Sequence, residues 1–298
     1  MGIGEIGELL RRITVHVRNA NPRQQSAGSG VIWDSAGTIV TNAHVLGEGR
    51  DAEGTHLVEL WDGSSFPTEI HSRDDQRDLA KLKLPATGVP SASLRTAPVK
   101  PGELAIAVGN PLGFTGALTT GVVHAVGPFS GFGRRPWVQA AIRLAPGNSG
   151  GPLADAAGSV IGINTILASG GIALAVPTAT VEEFLKNGPR PRLGVTMRIV
   201  RLERRRSVGL LIMSIEPGSP AEQASLLIGD ILIGTLGSRF TTAADLANAI
   251  DDAIDDAIGD AVIGKADGRL KIHFLRGDNA REREVVISLT GRLTREAA

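Results

Sequence analysis

Pro146-Gly147-Asn148-Ser149-Gly150-Gly151-Pro152-Leu153 is the stretch on which the reading of this chain turns. A serine set among three glycines is poor material for a helix or a regular strand. Gly147, Gly150 and Gly151 open backbone conformations that other residues avoid, so the loop can turn tightly and present the Ser149 hydroxyl. The same turn can aim the amides of Gly147 and Ser149 at one point, as binding of an oxyanion requires. Turn chemistry favours these residues too, so Ser149 taken alone also reads as a structural turn serine. A serine hydroxyl is a weak nucleophile at neutral pH, so chemistry here needs a base and a group to orient it.

Two upstream stretches offer them. Thr41-Asn42-Ala43-His44-Val45-Leu46 carries a histidine, and Asp78-Leu79-Ala80-Lys81-Leu82 carries a carboxylate. His, then Asp, then Ser is the chain order of the chymotrypsin-like proteases. The three motifs, of the types T-N-x-H-V, D-L-A-x-L and G-N-S-G-G-P-L, together resemble the HtrA/Deg family of trypsin-like serine proteases, over most of residues 25–290. The resemblance implies a catalytic triad of His44, Asp78 and Ser149, with an oxyanion hole at Gly147, Asn148 and Ser149. Asp74 and Asp75 stand close to Asp78, and turn formation accounts for both. Asp78 directly precedes Leu-Ala-x-Leu, where relatives carry the triad aspartate. Lys81 departs from the apolar residue usual in that strand; its stem can pack while its head reaches outward, or the strand edge is polar. His16, His56, His71, His124 and His273 lack the Thr-Asn-Ala-His context and read as surface or strand residues.

Composition sets the bounds. The chain has 298 residues, room for two ordinary domains, with 42% hydrophobic and 21% charged residues. Thirty-one basic side chains balance 31 acidic ones, which gives no support to nucleic-acid or membrane binding. Cysteine is absent, so disulfides, thiol catalysis and Cys-ligated zinc are excluded. No metal or cofactor is expected, and no phosphate-binding glycine loop occurs. The N-terminus lacks a basic region followed by an apolar run, from which a cytoplasmic location is expected, or export if the true start is trimmed.

Along the chain, Ile6, Leu9, Leu10 and Ile13 share one helical face, leading into a strand near Ile13–Val17. In relatives this N-terminal segment often builds a trimer, which leaves a homotrimer open. Asn19 to Ser29 is polar and reads as a loop. Gly30–Trp33, the turn Asp34–Gly37 and Thr38–Thr41 form a hairpin pattern. Further short strands are expected at 57–60, 69–72, 79–84, 104–108, 118–125, 137–142, 160–164 and 172–176. Close strands separated by Gly/Pro turns point to antiparallel barrels or sandwiches rather than βαβ units. A short helix around 181–186 is followed by Asn187-Gly188-Pro189-Arg190-Pro191, a helix stop and linker.

Beyond it, Leu193-Gly194-Val195, Gly209–Ile212, Glu216-Pro217-Gly218-Ser219-Pro220 and Gly229-Asp230-Ile231 resemble a bacterial-type PDZ domain. Such modules take a peptide as an added strand and hold its C-terminal carboxylate, which the resemblance places at Arg192, Leu193, Gly194 and Val195. Ser225 stands where relatives usually have glycine. In 251–262, isoleucines and Val262 recur every four residues opposite paired aspartates; this reads as a helix with a solvated acidic face, since the glycine and terminal glutamate of a calcium loop are missing.

The expected fold is mainly β: an N-terminal helix/strand segment (1–24), a chymotrypsin-like double β-barrel protease domain (25–187) split near 86–100, and a PDZ-like α+β domain (188–298). The expected function is serine endopeptidase action on unfolded or damaged polypeptides, with peptide C-termini as further ligands. Leu144 maps to the primary pocket and Asn164, Thr165 and Ile166 to the strand edge that pairs with substrate. Residues 140–148 hold no acid, so an aliphatic residue before the cut is expected. The alternative is a peptide-binding chaperone or scaffold with an idle protease fold.

Overall fold

The computed structural model describes residues 2–21, 26–47, 54–85, 87–129, 135–190, 193–202, 207–235, 238–239, 269–277 and 281–288. Met1–Phe129 with Arg135–Pro189 form one compact unit, and the chain from Arg190 belongs to a second.

The first unit opens with helix α1 (Ile3–Ile13), where Glu5 accepts from the Gly2 amide at 2.8 Å and so satisfies a free N-terminal donor. Ile6, Leu10 and Ile13 are buried, while Leu9, expected on the same face, is half exposed. The buried stripe is therefore narrower than the sequence pattern suggests. Glu8 binds both Arg11 and Arg12, whose guanidinium groups lie over Trp61.

A seven-stranded antiparallel sheet follows: β1 (Thr14–Asn19), β2 (Ala27–Ile32), β3 (Thr38–Thr41), β4 (His56–Glu59), β5 (Ser65–Thr68), β6 (Ile70–Asp74) and β7 (Leu79–Lys83). Its spatial order is β5-β4-β1-β2-β3-β7-β6. The expected hairpin is present: Gly37 donates to Asp34 O (3.1 Å), and Trp33 donates to Thr38 O (2.7 Å). Alternating apolar residues, Val15, Val17, Ile32, Ile39, Val58 and Leu82 among them, fill the interior. The expected Asn19–Ser29 loop is shorter than its polarity implied. β2 begins at Ala27, because Gly28 lets the strand pass against Val45, where a Cβ would lie 2.7 Å from the valine methyl. Ser29 is thus a buried strand residue. Lys81 is half-buried between Val40 and Ser72.

The second half is a closed six-stranded barrel, order β10-β13-β12-β11-β8-β9. Its strands are β8 (Leu104–Gly109), β9 (Ala117–Gly127), β10 (Trp137–Ala141), β11 (Pro152–Ala154), β12 (Val160–Leu167) and β13 (Ile172–Pro177). Ala105, Ala107, Ala140, Ala173 and Ala175 line it beside Val138, Leu153 and Ile161, small side chains that fit a tight barrel. Helix α2 (Thr178–Asn187) follows with Val181 and Phe184 buried. The unit is mainly β and antiparallel, as the strand spacing indicates, and its six-stranded half closes as a barrel.

The second unit contains β14 (Val195–Leu202), β15 (Ser207–Ile215), the short helix α3 (Pro220–Gln223), β16 (Ile231–Thr235), β17 (Ser238–Arg239), β18 (Arg269–Arg276) and β19 (Arg281–Ser288). Its sheet runs β14-β15-β16-β18-β19, with β17 paired to β16. Leu193, Ile212, Ala221, Leu226, Leu232, Phe274 and Ile287 form its core. Ser225 takes φ 58°, the left-handed conformation a glycine would adopt without penalty. The turn is held by Arg276, which donates to Ser225 O (2.8 Å) and forms a two-pronged ion pair with buried Asp230. The acidic repeat at 251–262, and Arg192, lie outside the described residues.

Candidate active site

His44 sits on a 3₁₀ turn, Ala43–Leu46, that begins one residue after β3 ends. Asp78 closes the turn between β6 and β7. Its Oδ2 is 2.8 Å from His44 Nδ1, and its Oδ1 accepts from the His44 amide at 3.0 Å. A carboxylate bound to both ring and backbone fixes the imidazole's orientation and leaves Nε2 facing away, able to take a proton. The three neighbouring acids are now distinguished by geometry. Asp74 is buried against Arg77, and Asp75 pairs with Arg73 (2.5 Å); Asp78 alone of the three reaches His44.

Asp78 pays for that reach with φ 54°, an unfavourable backbone conformation for a side-chain-bearing residue. Asn42 holds it there. Fully buried, its Nδ2 donates to Asp78 O and to Thr165 Oγ1, both at 2.8 Å. Arg77 supports the same turn, binding Glu183 and Gly188 O from α2 and the chain just after it.

Ser149 lies between the second barrel's β10 and β11. Asn148 donates to Ala145 O (3.0 Å), closing a turn with Pro146 and Gly147 at its centre, and Gly147 has φ 101°. Proline at the first central position and positive φ at the second define a type II turn, which requires glycine at 147. Among the described residues, the amides of Gly147 and Ser149 donate to no acceptor, whereas the Asn148 amide is consumed by the turn. Of the three residues expected at an oxyanion hole, two therefore offer free donors and Asn148 shapes the loop between them. Gly150 (φ 84°) has no room for a side chain, because a Cβ would strike Ser29 O.

The Ser149 hydroxyl donates to Thr165 O (3.0 Å), not to His44. The structure brings Ser149 and Thr165 together, but it places Asn164 differently from expectation. Asn164 O accepts from Gly150, its amide donates to Gly151 O and its side chain to Pro152 O. With both backbone groups taken, Asn164 buttresses the nucleophile loop and has no free edge for substrate. Leu144 is half-buried against the second barrel's core; the Ile166 side chain lies outside the described residues.

Residues 28–163 match the family model of the trypsin-like peptidase domain. The chain is also 33% identical over 281 residues to the putative serine protease HhoA of Synechocystis, covering 84% of this chain and 68% of that one. It belongs to the HtrA/Deg family of serine proteases. The HtrA-type relatives include the putative serine protease HhoB of Synechocystis, 34% identical over 78% of this chain and 62% of its own length. They also include Protease Do-like 1, chloroplastic, of Arabidopsis thaliana, 30% identical over 88% and 64%. The chain spans between 51% and 68% of the length of these and the DegP-like relatives. Among solved structures, a serine endoprotease from Yersinia pestis superposes with TM-score 0.64 at 24% identity, each chain 97% covered, a likeness of fold.

The family corrects one expectation. A cytoplasmic location was inferred from the lack of an N-terminal leader pattern. Relatives are named as periplasmic in Chlamydia trachomatis and as chloroplastic in Arabidopsis thaliana, so that inference is withdrawn.

Ser29, Asn42 and Asn110 take part in the site without having been assigned a role from sequence. Asn42 stands inside the Thr41–Leu46 stretch, Asn110 in the turn after β8, and Ser29 inside a stretch whose polarity reads as a loop.

Proposed function

We propose that this HtrA-type chain is a serine endopeptidase acting through His44, Asp78 and Ser149. The observation that carries it is the Asp78 carboxylate bound to both ring and amide of His44, beside a nucleophile loop with two free amides. In the reaction the Ser149 hydroxyl leaves Thr165 O and attacks the scissile carbonyl carbon, its proton passing to His44 Nε2. The carbonyl oxygen, now an anion, takes the amides of Gly147 and Ser149. Collapse expels the amine, which His44 protonates, and leaves an acyl group on Ser149 Oγ. Water, deprotonated by His44, then releases the acid and restores the serine. Thr165 O, freed when Ser149 turns, becomes available to a substrate N–H.

Unfolded polypeptide is the substrate this reading takes, cut after aliphatic residues, since Leu144 and the acid-free stretch 140–148 offer no partner for a buried cation. The second unit, read as PDZ-like, would bind peptide C-termini. In support, β14 is an edge strand, and among the described residues the amides of Leu193 and Gly194 donate to no acceptor. A homotrimer is the assembly proposed, supported by exposed Ile3 and Leu9 on α1. The deciding experiment is digestion of casein by the purified chain and by Ser149→Ala, with fragment ends read by mass spectrometry. Loss of all cleavage in the variant, with cuts after Val, Ala, Ile or Leu in the parent, is expected. Equal digestion by both would refute the assignment.

A further inference from the structure

Ser29 lies in β2, fully buried and out of a substrate's reach, yet its polar atoms converge on the nucleophile loop. Its amide donates to Ser149 O at 2.8 Å, and its hydroxyl donates to Gly147 O at 2.7 Å. Its own carbonyl accepts from Thr41 Oγ1 at 2.6 Å, which ties it back to β3.

The two free amides of the proposed oxyanion hole, on Gly147 and Ser149, flank the peptide that joins Gly147 to Asn148. That peptide is held at both ends. Its N–H donates to Ala145 O (3.0 Å), and its C=O accepts the Ser29 hydroxyl. With either bond missing, the plane can rotate about Gly147, the residue with the most backbone freedom, and the flanking amides lose their common aim. The hydroxyl's direction is fixed as well. The Asn110 amide donates into Ser29 Oγ at 2.8 Å, so the hydroxyl's own proton is left to point at Gly147 O. Asn110 is anchored in turn, its side-chain oxygen accepting from Gly116 at 2.9 Å. Gly109 allows the contact, since a Cβ there would strike the Asn148 side chain. The stretch Gly109-Asn110-Pro111 is thereby tied to the Ser149 loop.

We propose that Ser29 is a positioning residue for catalysis, relaying the Asn110 amide through its hydroxyl to Gly147 O and so fixing the peptide between the two oxyanion donors. The proposal rests on the protease reading above.

The test uses the full chain and Ser29→Ala, measuring kcat and KM on a fluorogenic peptide and Ki for a peptide boronate that forms a tetrahedral adduct with serine. Loss of one oxyanion donor costs about 100- to 1,000-fold in kcat, and loosening a pair of them should cost about 10- to 100-fold. KM should stay within about twofold, and boronate Ki should rise by the same factor as kcat falls, because only the tetrahedral state uses the hole. The pH dependence of kcat/KM should not move, since His44 and Asp78 are untouched. Ser29→Cys keeps a donor at the position, weaker and on a larger atom, and should show the same split, with kcat lowered and KM held. It carries the test if the alanine variant does not fold. An unchanged kcat, or a raised KM with kcat and Ki preserved, would overturn the proposal. A parent protein that neither cleaves peptide nor reacts with a fluorophosphonate at Ser149 would instead remove the protease reading itself.

Discussion

Replacing Asn42 by alanine tests how the triad is held. Its buried amide nitrogen supplies two hydrogen bonds of 2.8 Å, to Asp78 O and to Thr165 Oγ1. Each bond contributes about 1 kcal/mol net, and an acceptor left buried adds to the loss. Some of this is recovered, because Asn42 Oδ1 has no partner among the described residues and disappears with the substitution. The expected destabilisation is about 2–3 kcal/mol, or roughly 4–12 °C in Tm for a domain of this size. Activity follows a separate line. Asp78 is held at φ 54°, and left-handed backbone costs about 1–2 kcal/mol for such a residue. Without Asn42 that strain can relax, and the share of molecules with Asp78 on His44 falls by about 5- to 30-fold. The assay is kcat on a fluorogenic peptide at a temperature where the variant is fully folded, beside a thermal melt. Kcat is expected to fall by that factor with KM nearly unchanged. A melt shifted as expected with kcat intact would refute the link between Asn42 and Asp78. A loss as large as that from removing the triad carboxylate would show that Asn42 acts in the chemistry itself.

Asp78→Asn should lower kcat by about 10,000-fold through the wrong histidine tautomer, while Asp75→Asn, whose partner is Arg73, should leave it near the parent value; steady-state kinetics on the pair will show whether the carboxylates have been told apart. Ser225→Gly should stabilise the second unit by roughly 1 kcal/mol, by relieving the left-handed serine, and a chemical melt with no gain would contradict this. His16 has its pKa lowered from the ordinary 6.5 by burial. Its neutral form is favoured in the fold, so its contribution is present above about 6.5 and is lost as pH falls through that value towards the lowered one. The parent's Tm should therefore drop more between pH 8 and pH 5 than that of His16→Gln; equal drops would exclude the effect.

The strands were legible where alternation or a sharp turn marked them. Gly30–Trp33 and Thr38–Thr41 form the expected hairpin because Asp34 and Gly37 suit its turn. β11, only Pro152–Ala154, gave no such signal: three residues cannot show a period, and its pairing with β8 and β12 is fixed by the fold around it. Leu9 shows the opposite limit, a residue with the right spacing that faces water because the helix buries only the stripe its neighbours cover. In the candidate site, local motifs mark the loops of His44 and Ser149, and the place before Leu79 marks the carboxylate that meets His44. Asn164 was misread because strand position alone does not reveal that both its backbone groups are spent on the nucleophile loop. Ser29 was hidden for a related reason. Its partners are Gly147 and Asn110, 118 and 81 residues away, and no local pattern records bonds of that range.

Those long-range bonds bear on how the site survives thermal motion. His44 and Asp78 stand on the first sheet and Ser149 on the closed barrel, so their mutual geometry depends on what crosses between the two. Among the described residues, bonds that cross between them include Ser29 to Ser149 O and Gly147 O, the Asn110 amide to Ser29 Oγ, and Asn42 to Thr165 Oγ1. Close approach of the backbones at Gly28 and Gly150 makes them possible, since a Cβ at either position would strike the opposing chain. From the other side Arg77 ties the Asp78 turn to α2. Each bond contributes only about 1 kcal/mol, but they lie buried or part-buried where the two halves meet, and parting the halves breaks them together. The proposed triad is thus held by bonds between the sheet and the barrel as well as by contacts among its own three side chains.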